Sequence, residues 1–227
     1  MKYFLLSFLF IPFMLTAQNE VLSNQQVHIF TLGDSNGTFP YSWPQQLQIA
    51  LPNAQVFNIS KSGRTIGFLN LGDSSLNSLL VLDENLRKAA KAAKDKPYDY
   101  IIIALGTNDA KAVFADRQEE VPINLDHLIK RIKNCIYSSI SKAKIIIISP
   151  PPYGKKAEAT EKYAGGGKRV LRMSNTFEAI AKQNGCFFVN GYATPGLDID
   201  TMTEDGLHLD AIGSHKLIEP VVALMLH

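Results

Sequence analysis

Four short motifs carry side chains whose types and order suit nucleophilic catalysis. Ser35 lies in Gly33-Asp34-Ser35-Asn36, directly after an apolar run, where its hydroxyl would stand at a strand end. A serine hydroxyl attacks well only when a base takes its proton, and the base needs an acid to fix its tautomer. Asp205 and His208 stand three residues apart in Asp205-Gly206-Leu207-His208 and are of the types that supply acid and base. Attack on a carbonyl builds charge on its oxygen, which backbone N–H groups or an amide side chain stabilise. Gly63, in Asn58-Ile59-Ser60-Lys61-Ser62-Gly63, has an unhindered N–H, and Asn108, in Gly106-Thr107-Asn108-Asp109, has an amide donor. Taken singly, each motif is also what a turn or helix cap contains. Gly-Asp-Ser occurs again at 72–74, where it leads into a polar Ser/Asn stretch and reads as a turn or cap.

Something must bring these motifs together. Five apolar runs rich in Ile, Val and Phe read as buried parallel strands: 27–32, 54–59, 98–105, 143–149 and 186–190. Helical spacing of apolar residues falls between them, at 43–51, 83–93, 123–140 and 169–184, and closes the chain at 211–226, where Pro220 predicts a kink or a new start. Alternating strands and helices imply βαβ units with right-handed crossovers and a parallel sheet covered on both faces. Ligand sites of such sheets form beyond the carboxyl ends of the strands. Ser35, Gly63 and Asn108 each follow a strand, so all three are expected at that edge.

The set Ser, Gly, Asn, Asp-His in this order resembles the SGNH/GDSL hydrolases over nearly the whole chain from Val27 to Leu226. The resemblance implies an α/β fold, a three-layer α/β/α sandwich with a flavodoxin-like parallel sheet of about five strands. It implies Ser35 as nucleophile, His208 as base and Asp205 as its orienting acid. The Ser35 and Gly63 N–H groups and the Asn108 amide would form the oxyanion hole, and no metal or organic cofactor is needed. Two positions depart from the common pattern: Leu209 where many relatives carry proline, and Asn36 in place of the leucine of the name-giving motif. The expected activity is hydrolysis of carboxylic esters through an acyl-enzyme, with O-acetyl groups on carbohydrate as the favoured substrate. A lysophospholipase or thioesterase is the alternative, and a silent glycan-binding module a third. Arg64, Thr65 and Trp43 are expected against the substrate, with Asn70 and Asp109 as polar rim residues. His28, His127, His215 and His227 lie outside any motif and read as structural or surface residues.

Composition narrows the partners. The 227 residues are 46% hydrophobic and 19% charged, enough for one sizeable core. Lys and Arg total 23 against 21 Asp and Glu, a net +2, which gives no electrostatic case for nucleic acid or an anionic membrane. The expected partner is a small-molecule or polysaccharide ester. Residues 1–17 place Lys2 before an apolar run and end on Ala17, the pattern of a signal peptide. The run is shorter than the roughly 20 residues that span a bilayer, so the expectation is cleavage near Ala17, no stable membrane anchor, a secreted domain of residues 18–227, and a periplasmic or extracellular location. In such a compartment Cys135 and Cys186 either pair or serve as small buried residues. The irregular stretch 150–168 reads either as a lid or binding loop or as a solvated insertion.

Overall fold

The computed structural model describes residues 26–94 and 96–226, and the expected signal peptide lies outside them. Its sheet has five parallel strands, β1 (Val27–Gly33), β2 (Ala54–Asn58), β3 (Tyr100–Ala104), β4 (Lys144–Ile148) and β5 (Phe187–Val189), in the order β2-β1-β3-β4-β5. The two central runs, Ile101-Ile102-Ile103 and Ile145 to Ile148, pair residue for residue. Their β-branched side chains suit a pleated surface that is buried on both faces.

Alternation along the strands sorts the core into two layers. Phe30, Leu32, Ile101, Ile103, Ile145 and Ile147 face α2 (Leu82–Ala93), α3 (Glu120–Lys133) and α4 (Gly166–Gln183). Ile29, Ile102, Ile146 and Ile148 face α1 (Trp43–Ala50) and α5 (Ala211–Leu226). This is the three-layer α/β/α arrangement, doubly wound, with β1 in the sheet interior.

Three expectations need adjustment. The helix expected over 123–140 ends at Lys133, because the chain tightens at Asn134 and Cys135. Ile136, which fitted the helical spacing, is 90% exposed. The stretch 150–168 is anchored at its start and solvated over most of 155–168: Tyr153 and Ala157 are buried, the Tyr153 hydroxyl donates to the Thr107 carbonyl, and Gly154 N–H donates to the Gly206 carbonyl at 2.8 Å. Pro220 is accommodated inside α5. Cys135 and Cys186 are free, partly buried thiols packed on the α2/α3/α4 side of the core. Among the described residues no helix is long and apolar enough to cross a membrane.

Candidate active site

Because every strand is parallel, all five carboxyl ends lie at one edge, and four segments meet there. The first leaves β1 as a tight turn. The Asp34 side chain accepts from Asn36 N–H at 2.9 Å and its carbonyl from Gly37 N–H at 3.1 Å, which sets Ser35 at the head of a short 3-10 turn. The second segment is 203–209, leading into α5. There His208 Nε2 lies 2.9 Å from Ser35 Oγ, and His208 Nδ1 lies 2.5 Å from Asp205 Oδ2. The other oxygen of Asp205 accepts from the N–H groups of Leu207 and His208, at 2.9 and 2.8 Å. Burial alone would raise this carboxyl, but the hydrogen bonds from His208 and Leu207 outweigh it and hold Asp205 below the usual carboxylate range. It is therefore ionised at neutral pH. The Phe39 ring packs edge to face with the imidazole, centroids 5.7 Å apart, and stacks on Tyr41.

The third segment follows β2. Gly63 has φ +81°, a backbone conformation that favours glycine, and its carbonyl accepts from Asn70 Nδ2 at 2.6 Å. Among the described residues its N–H has no acceptor. The fourth follows β3 through Gly106. Asn108 Nδ2 donates to the Arg64 carbonyl at 3.0 Å, which fixes the amide and leaves its second hydrogen unused. One edge therefore holds a hydroxyl against an imidazole and an imidazole against a carboxylate, and the segments of Gly63 and Asn108 join each other beyond the ends of β2 and β3. That set can move a proton off an attacking serine and stabilise charge on an attacked carbonyl.

Behind these groups lies a buried polar layer. Lys111 Nζ donates to Asn70 Oδ1 at 3.1 Å, so Asn70 links a buried ammonium to the Gly63 carbonyl. Burial, with Lys162 nearby, lowers Lys111 to about 8. Asp109 is fully buried and accepts from Ile66 N–H at 3.0 Å with each oxygen. Burial pushes its carboxyl up from 3.8 to about 7, and the charge of Asp34 adds to that.

The Asp109 shift has a consequence for stability. The folded protein keeps this proton to higher pH than the unfolded chain, so its contribution is full below pH 3.8 and is lost as pH rises through about 7. The loss is on the order of 4 kcal/mol. Asp109→Asn is therefore expected to gain stability relative to the parent as urea midpoints are followed from pH 5 to 7.5. Parallel curves for the two proteins would remove Asp109 as a source of pH dependence.

The structure thus joins Ser35, His208 and Asp205 by hydrogen bonds and ties Asn108 to the residue after Gly63, and it corrects the other expectations. Trp43 is 1% exposed and packs beneath the nucleophile turn against Gly33 and Gly37. Thr65 is fully buried, with its hydroxyl donating to the Phe68 carbonyl at 2.6 Å. Arg64 is buried and donates to the Ile59 carbonyl at 2.6 Å. None of the three has surface left for a ligand, and all act as supports. Asn70 and Asp109 are likewise buried supports, not rim residues. Sequence reasoning missed Asp34, Asn36 and Lys111. The first two lie inside the GDSN motif, where Asn36 was noted only as a departure from the common pattern, and a single lysine carries no sign that it is buried.

The geometry finds a match among known sequences. A sequence profile of the GDSL-like lipase/acylhydrolase family matches residues 30–216. The chain belongs to this family. It is 27% identical to an acetylxylan esterase of Xylanibacter ruminicola over 203 aligned residues, which take in 81% of this chain and 38% of that relative. The chain thus spans well under half the length of that curated protein. Among solved structures, a carbohydrate acetylesterase from Sinorhizobium meliloti superposes with a TM-score of 0.74 at 22% identity, covering 88% of this chain and 98% of the other. A native aryl esterase from M. smegmatis superposes with a TM-score of 0.72 at 21% identity, with the same coverage. At these identities the two likenesses establish the shared fold.

Proposed function

We propose that the chain is a serine esterase that removes O-acetyl groups from carbohydrate. The observation that carries the esterase reading is the unbroken line from Asp205 Oδ2 through His208 to Ser35 Oγ, with contacts of 2.5 and 2.9 Å. Ser35 Oγ attacks the ester carbonyl while His208 Nε2 takes its proton. The oxyanion is met by the N–H groups of Ser35 and Gly63 and by the Asn108 amide. The tetrahedral intermediate collapses, His208 returns the proton to the leaving alcohol, and an acyl-Ser35 remains. Water attacks in turn and gives a proton to His208; the second tetrahedral intermediate collapses as His208 passes that proton to Ser35 Oγ, which releases the acid and restores the free serine. Asp205 stabilises the imidazolium throughout.

The carbohydrate part of the reading is supported by the likeness to the acetylxylan esterase. The test measures acid release from p-nitrophenyl acetate, butyrate and octanoate, and free acetate from acetylated xylan. Acetate preference with deacetylation of the polymer is expected. Octanoate preference with an inert polymer would replace this reading with a lipid esterase or thioesterase.

Asn108→Ala should lower kcat about 100- to 1000-fold, the usual effect of losing one oxyanion donor. The same ester assay checks this, and a loss below about fivefold would take Asn108 out of the oxyanion hole. Export through residues 1–17 belongs to the same proposal. Protein recovered from periplasm or medium should begin at Gln18, whereas recovery only from the cytoplasm with Met1 intact would remove it.

A further inference from the structure

Asn36 grips the chain on both sides of His208. Its Nδ2 donates to the Leu207 carbonyl at 3.2 Å, and its Oδ1 accepts from the Leu209 N–H at 2.8 Å. These two peptide groups flank the His208 Cα, so holding both fixes the backbone there and the direction in which the imidazole leaves it. Only the side-chain torsions then remain, and Asp205 and Ser35 set those. Asn36 is 5% exposed, which shields both bonds from water. Its own backbone is pinned by the Asp34 carboxylate, one residue from Ser35. The other anchors of the 203–209 segment run elsewhere: Gly206 to Gly154, Glu204 to Lys156, and Gly206 to Thr203 within the segment itself. None of those partners adjoins the nucleophile.

We propose that Asn36 is a positioning residue that refers the base to the nucleophile, so that His208 Nε2 stays within reach of Ser35 Oγ. This rests on reading Ser35 and His208 as nucleophile and base. A leucine of similar volume could fill the space but could neither donate nor accept, leaving the Leu207 carbonyl and the Leu209 N–H without partners. Small misplacements of catalytic groups cost rate far more than they cost ground-state binding.

The experiment compares Asn36→Leu and Asn36→Asp with the parent on p-nitrophenyl acetate. Asn36→Leu should lose about 100-fold in kcat with KM within about threefold. Asn36→Asp keeps the acceptor for Leu209 and loses the donor to Leu207, so its kcat should fall about tenfold. If Asn36→Leu fails to fold, Asn36→Asp decides alone, and parental kcat in a folded variant overturns the proposal. A second readout needs no turnover. The proton shared by His208 Nδ1 and Asp205 should give a downfield NMR signal in the parent that broadens or vanishes in both variants. An unchanged signal in either variant also overturns it. An inactive parent would sink the esterase reading, whereas an active parent with fully active variants would sink only the role of Asn36.

Discussion

Ser35→Ala should lower kcat on p-nitrophenyl acetate by about 10^5- to 10^6-fold, the scale seen when a triad nucleophile is removed. The substitution takes away one oxygen, whose hydrogen bond is to His208. The turn survives, because the Asp34 carboxylate and carbonyl still hold Asn36 and Gly37. The Ser35 N–H, the Gly63 N–H and Asn108 also survive, so a residual acceleration of about 10^3-fold over water should remain. Thermal unfolding of the variant should match the parent closely, which separates lost chemistry from lost structure. Activity within tenfold of the parent would sink Ser35 as nucleophile. The second Gly-Asp-Ser copy would not readily replace it: its turn is built like that of Ser35, with Asp73 accepting from Ser75 N–H at 2.8 Å, but Ser74 is exposed and among the described residues no imidazole contacts it.

Asp205→Asn should cost about 10^4-fold in kcat, and the structure says why the loss would be so large for so small a change. Asp205 Oδ1 accepts two backbone N–H groups, from Leu207 and His208. An asparagine would keep those two bonds by placing its carbonyl oxygen there. Its NH2 would then face His208 Nδ1 and donate to it. The ring proton is forced onto Nε2, the nitrogen that has to accept from Ser35. A folded variant with a twofold loss would show that Asp205 does not set the tautomer.

Much of this was legible in the sequence because it follows from local pattern. The run Tyr98 to Leu105 needed only its apolar residues to be read as the strand Tyr100–Ala104. The motif residues were legible because each follows a strand, and parallel strands share one carboxyl edge. What failed depended on side-chain direction. Arg64 and Thr65 adjoin Gly63 in sequence, yet both turn into the interior. Trp43 lies near Ser35 along the chain and packs under it. Asn36 shows the same limit from the other side. Its partners are 171 and 173 residues away, and no local spacing records them.

The strand order gives the chain a built-in delay. The nucleophile strand β1 pairs with β2 and β3, and the last strand is complete at Val189, before Asp205 and His208 have been made. The helix that covers one face of the sheet, α5, is made later still, so the core of that face is closed only after the base has been made. Asn36 then has nothing to grip until the 203–209 segment docks. Closing the molecule and switching on its chemistry become the same event, so a partly made chain would carry a harmless hydroxyl.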